Sequence, residues 1–217
     1  MIKTKLISLL ILLSACASAR ADQIDFSDGW SEQRFSLFSS NEFEPNGETL
    51  HIRSDGTVSM FWSRLPPALW DSTQAVWDWE VISSVPHTDL TVKGGDDRNL
   101  SVYFVFMPEA SLPKPQAKLT DLLGNTHARV LMYIWGGDHK RGEILPTPYF
   151  NELGRSLILR PASTGQARER VNLTTDFQRA FGTGPTRLIG IAVSADSDDT
   201  NTKIEARISN MRIEKAP

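Results

Sequence analysis

"QAVWDWEV", residues 74–81, decides the fold. In extended chain, Ala75, Trp77, Trp79 and Val81 fall on one face and Gln74, Val76, Asp78 and Glu80 on the other. Two indoles two residues apart share a face only at a period of two. The stretch therefore predicts a half-buried strand that puts a layer of tryptophan into a core.

Other strands are read outward from it. "TLHIRS" and "TVSMFWS" alternate around "SDGT", whose Asp55-Gly56 predicts a hairpin. "LSVYFVF" groups Leu100, Val102, Phe104 and Phe106, and "ARVLMYIW" (128–135) is apolar on both faces, as a central strand is. "SLILR", "ARERVNL", "RLIGIAV" and "KIEARISNMRIE" follow. In the last, Ile204, Ala206 and Ile208 share a face, then Met211 and Ile213 resume out of phase, which predicts a bulge near Asn210.

Helix is scarce. "TTDFQRAFG" carries the stripe Phe177, Ala180, Phe181, with Thr174 or Thr175 as cap and Gly182 as stop. A second short helix is expected in "AKLTDLLG" (117–124). About ten short strands with one or two short helices predict an all-β fold, an antiparallel two-sheet β-sandwich. If "IDFSDGW" near the start pairs with "MRIEK" at the end, the sandwich is a jelly roll of the galactose-binding type, one domain over residues 22–217.

The first residues read as an export signal. Lys3 and Lys5 precede the apolar run Leu6–Leu13, which is too short to span a bilayer. "ARA" (19–21) fits signal peptidase cleavage after residue 21. "LSAC" (13–16) fits lipidation of Cys16 after a 15-residue leader. The expected location is the bacterial periplasm, soluble or anchored to the outer membrane through Cys16. Cys16 is the only cysteine, so the remainder holds no disulfide. No later run is long enough for a transmembrane helix. Losing Lys3, Lys5 and Arg20 takes the net charge from -3 to -6, which argues against nucleic acid as a partner.

"WDWEV", "DLTVKGGDDRNLSVYFVF", "LMYIWGG", "RERVNLTTDFQRAFG" and "IGIAVSADSDDTN" occur in that order. Together they resemble the bacterial family known as domain of unknown function 3047, over about Asp25 to Ile213. Lys93, Asp96, Asp97, Tyr133, Trp135, Asp176, Phe177, Phe181, Gly182, Asp196, Asp198 and Thr200 fill the places the family pattern favours. Asp199 stands where Asn is usual, which makes the loop more acidic. The resemblance implies an exported β-sandwich.

Chemistry concentrates in two acidic stretches. In "KGGDDRN", Gly94 and Gly95 permit a tight hairpin or a bulged strand start. Asp96 and Asp97 would then bond backbone N–H groups, with Lys93 or Arg98 as counter-charge. In "ADSDDTN", Asp196 and Asp198 leave a strand end on one side. If the stretches meet, Asp96, Asp97, Asp196 and Asp198 could hold a structural Ca²⁺, although neither a twelfth-position Glu nor the loop Gly of a calcium hand is present. Alternatively Lys93 and these acids touch a ligand directly. Trp62, Trp70 and Trp135 are candidate stacking platforms for a sugar.

Enzymatic motifs are few. His51, His87, His127 and His139 lack metal-ligand spacing, and neither a Gly-x-Ser-x-Gly elbow nor a phosphate loop occurs. Asp78 and Glu80, on one strand face, are the candidate carboxylate pair of a glycan hydrolase. The leading expectation is a non-catalytic envelope module that recognises a glycan or an envelope protein. The alternatives are that hydrolase and an assembly factor binding protein.

Overall fold

The computed structural model describes residues 22–112, 125–182 and 186–215. The leader expected over residues 1–21, with Cys16, and the helix expected over 117–124 lie outside the described residues. Thirteen strands follow in order: β1 Asp22–Gln23, β2 Trp30–Arg34, β3 Glu42–Asn46, β4 Thr49–Asp55, β5 Val58–Arg64, β6 Gln74–Ser83, β7 Arg98–Met107, β8 Arg129–Gly136, β9 Ile144–Thr147, β10 Asn151–Arg160, β11 Gly165–Asn172, β12 Arg187–Asp196 and β13 Lys203–Glu214. Among the described residues there is one α-helix, α1 Leu173–Phe181, between β11 and β12.

The strands form two sheets. Sheet A runs β11-β6-β13-β4-β3, with β1 on β13, and sheet B runs β2-β5-β12-β7-β8-β10-β9. The central strands alternate between sheets along the chain: β4 in A, β5 in B, β6 in A, β7 and β8 in B, β11 in A, β12 in B, β13 in A. That alternation, with four strands β11-β6-β13-β4 facing four strands β5-β12-β7-β8, is a jelly roll.

The inward faces carry the alternation read from the sequence. Ala75, Trp77, Trp79 and Val81 are buried, and they meet Leu100, Val102, Phe104, Leu131, Tyr133 and Trp135 from the other sheet in one core. Trp77 and Trp79 cross edge to face at 5.5 Å, and Trp79 meets Trp135 likewise at 5.4 Å. The two sheets differ on their outer faces. Sheet B buries a second apolar layer, including Tyr103, Val105, Val130, Met132 and Ile134, under Leu90, Leu145 and Phe150. Sheet A turns Asp78, Glu80, Gln166, Arg168 and Arg207 outward.

Three local expectations are corrected. Asp55-Gly56 does reverse the chain, with Gly56 at φ 61°, but its flanking strands enter different sheets. A tight turn sets the reversal, not the hydrogen-bond partner. β4 finds seven paired residues on β13, and β5 finds seven on β12. "KGGDDRN" likewise carries the chain from β6 in sheet A to β7 in sheet B, so it closes no hairpin; the alternative, a bulged strand start, is what forms, with a register shift against β8 between Arg98 and Leu100. Sheet B is mixed, because β10 runs parallel to β8, from Gly154 opposite Val130 onward. The long connection holding β9 gives the chain length for that crossover.

The helix begins at Asn172, whose side chain accepts a hydrogen bond from Thr175 N at 2.9 Å, rather than at Thr174 or Thr175. It ends at Gly182, φ 68°. Asn210, φ 53°, marks the bulge in β13, between Ser209 and Arg212 in the register with β6. The first and last described strands also meet, since Asp22 pairs with Ile213 and Ile24 N donates to Met211 O at 2.8 Å.

Candidate functional site

The two acidic stretches meet. Asp97, fully buried, accepts hydrogen bonds from Thr200 N (2.7 Å), Asp199 N (3.3 Å) and the Thr200 hydroxyl. It thus bonds backbone N–H groups as expected of a turn aspartate, but those of the other loop. The β7–β12 register sets Arg98 opposite Asp196, with a bulge between Ser194 and Asp196. Arg98 consequently bridges the stretches, with Nη1 at 3.0 Å from both Asp96 Oδ2 and Asp196 Oδ2. It also donates to Ser101 Oγ (2.7 Å) and Tyr103 Oη (3.2 Å). Gly136 makes room for it: a methyl there would stand 2.6 Å from Arg98 Cβ.

Arg98 is therefore the counter-charge. Lys93 is exposed and lies 5.3 Å over the Tyr149 ring. Burial opposes the charge on Arg98, but Tyr103, Asp196 and Asp96 outweigh it and raise its pKa. Burial pushes the Asp196 carboxyl up to about 8; Arg98 opposes this, and Asp198 and Asp97 reinforce it. Burial likewise raises Asp96, against Arg98 and with Asp97. Asp198 and Asp199 stand at the exposed rim.

The tryptophans divide. Trp135 is 2% exposed, wedged against Trp79, with Nε1 donating to Ser163 Oγ at 3.2 Å. It is a core residue and offers no face to a sugar, which corrects its reading as a platform. Trp62 is half-buried against the outer layer of sheet B. Trp70 is half-buried too, its Nε1 bonded to Leu65 O (2.9 Å), beside a recess of about 550 Å³ with Phe106, Leu173 and Phe177.

Asp78 and Glu80 line an open groove of about 380 Å³ on the outer face of sheet A, together with Gln166, Ala167, Arg168, Arg207 and Ser209. Strand pairing assembles it: Asp78 and Glu80 from β6, flanked by Arg168 and Gln166 of β11 and by Ser209 and Arg207 of β13. Asn210 donates to Asp78 at 2.8 Å, Gln166 to Glu80 at 2.6 Å, and Arg207 lies 3.4 Å from Glu80. Arg168 stands 3.9 Å from Asp78. Sequence reasoning found the two acids and missed Gln166, Arg168 and Arg207. The signal was their outward phase beside β6, usable only once the pairing is known.

Fold and site together define a jelly-roll β-sandwich with one free polar sheet face and an aspartate knot closing one end. The chain belongs to the family described as Protein of unknown function (DUF3047), which it matches over residues 28–212. It is similar in structure to the xyloglucanase domain of NopAA, a type three effector from Sinorhizobium fredii, at 10% identity and a TM-score of 0.47, covering 93% of this chain and 100% of that one. It is also similar to the family 11 carbohydrate-binding module of the cellulosomal cellulase Lic26A-Cel5E of Clostridium thermocellum, at 10% identity and a TM-score of 0.47, covering 92% of this chain and 97% of that one. No curated protein matches the chain in sequence. Among the described residues, no helix is long and apolar enough to cross a membrane.

Proposed function

We propose that this protein is a non-catalytic glycan-binding module of the bacterial envelope, and that the glycan lies in the groove on sheet A. The observation that carries this reading is the contrast between the outer faces. Sheet B spends its face on a second apolar layer, whereas sheet A presents an open trough of polar side chains held by one another. Carboxylates, an amide and guanidinium groups in fixed positions offer the paired donors and acceptors that vicinal hydroxyls need. The envelope location rests on the leader-like first residues.

The engaged state of Asp78 and Glu80 favours recognition over hydrolysis. A glycosidase needs one carboxyl free to reach the glycosidic oxygen and another free to face the sugar carbon or a water. Here donors surround both: Asn210 at Asp78, Gln166 and Arg207 at Glu80.

The test is calorimetric titration of the purified chain with soluble plant and bacterial glycans, peptidoglycan fragments included. Binding is expected to weaken at least tenfold in Glu80→Ala combined with Gln166→Ala, with an unchanged melting temperature and no release of reducing sugar. Binding indifferent to those substitutions, or none to any glycan, overturns the reading.

A further inference from the structure

Acids and guanidinium groups are unequally placed in the groove on sheet A. Asp78 and Glu80 leave 31% and 23% of their side chains exposed, whereas Arg168 and Arg207 beside them leave 59% and 41%. The acids form the floor and the arginines the lip. Strand register keeps the two arginines apart. Arg168 of β11 stands opposite Asp78 and Arg207 of β13 opposite Glu80, on either side of β6 and two residues apart along it.

The acids are engaged and the arginines are not. Asp78 accepts from Asn210 at 2.8 Å, and Glu80 from Gln166 at 2.6 Å. Arg168 Nε lies 3.9 Å from Asp78 and Arg207 Nη1 lies 3.4 Å from Glu80. Both exceed the length of about 2.7–2.9 Å that a charge-assisted hydrogen bond takes. Glu169 shows the contrast, with Arg141 and Arg160 donating to it at 2.7 and 2.8 Å. Among the described residues, neither lip guanidinium has a hydrogen-bond acceptor, and Arg207 Nε is shut off from solvent with no partner. A donor left so is costly, and a turn of Arg207 toward a ligand would relieve it. Neither side chain breaks a hydrogen bond in turning.

On the reading that the glycan lies in this groove, we propose that the groove selects glycans bearing carboxylate groups, and that Arg168 and Arg207 each grip one. A guanidinium fork meets a carboxylate through two parallel N–H···O bonds, whereas a hydroxyl offers a single oxygen. Since the arginines flank β6, carboxylates on different units of an oligosaccharide suit them better than one shared group. Asp78 and Glu80 keep lone pairs for the hydroxyls between. Uronic acids carry such carboxylates, and so do the lactyl and peptide groups of peptidoglycan fragments.

The experiment titrates the purified chain by calorimetry with oligogalacturonate, its methyl ester, a sulfated oligosaccharide of equal charge and peptidoglycan fragments. At least one carboxylated ligand is expected to bind, tenfold or more tighter than its ester, and the tighter of the two kinds identifies the source. Arg168→Gln combined with Arg207→Gln changes exposed residues, so it should keep the melting temperature and abolish the preference for acid over ester. Acid and ester bound alike overturns the proposal. So does a preference that survives the double substitution, or a sulfated ligand bound as tightly as the carboxylated one. In each of these cases binding still lost in Glu80→Ala with Gln166→Ala leaves the groove as the glycan site. No binding to any glycan overturns both.

Discussion

Trp135 and Glu169 show how one position is decided by its neighbours. Trp135 stands at the end of β8 beside a glycine pair, the setting of an exposed ring, yet it closes the core against Trp79. Trp135→Ala should therefore cost about 3–5 kcal/mol of stability, read from denaturant midpoints, rather than removing a binding contact from an intact fold. Glu169 is 2% exposed and held by Arg141 at 2.7 Å and Arg160 at 2.8 Å. Its signal was legible, because Ala167, Glu169 and Val171 share a strand face and the charge falls in the apolar phase. Glu169→Ala should cost about 1.5–3 kcal/mol, the range for hydrogen bonds to charged groups. Tyr133 donates to Asp176 at 3.0 Å. Burial, then the Asp176 charge, raise its pKa well above 10.0. The folded chain keeps this proton after the unfolded chain has lost it, so stability falls as pH rises past 10. Tyr133→Phe should cost about 1 kcal/mol at neutral pH. Its deficit against wild type should shrink as the medium is made more alkaline than pH 10, measured by urea midpoints across that range.

At the scale of elements, the strands of strong period and the helix were legible, whereas β2, β3 and β9 were not read, and of the strand partners only the meeting of the first described residues with β13 was foreseen. The Asp55-Gly56 turn has the residues of a hairpin and the glycine conformation to match, but a local rule cannot see β13 and β12 competing for its two arms. The meeting of Asp97 with Thr200 was foreseen only as a condition, since it joins residues 103 apart. The role of Gly136 was hidden for the same reason. Its missing side chain leaves the space that the Arg98 backbone fills, 2.8 Å from where a Cβ would sit. Gly136→Ala should force β7 and β8 apart at that rung and cost about 1–3 kcal/mol. The helix cap is separable: Asn172→Ala should cost about 1 kcal/mol by thermal melting and leave glycan titrations unchanged.

Across the whole molecule, alternation between sheets makes nearly every ladder long-range. β4 opens the central jelly roll and pairs with β13, which closes the described chain. Such topology should refold slowly, in the range of milliseconds to seconds by stopped-flow tryptophan fluorescence. The buried indole cluster reports the event directly. The candidate groove was half legible from sequence: two acids on one strand could be read, while their neighbours awaited the sheet order. The polar outer face of sheet A has one more consequence. Its side chains stand in the strand phase that the interior never meets, so each can be exchanged without repacking a neighbour inside. That makes the sheet a board whose pegs are set in bonded groups, on which a library of groove variants could be screened for new saccharide preferences while the scaffold beneath stays the same.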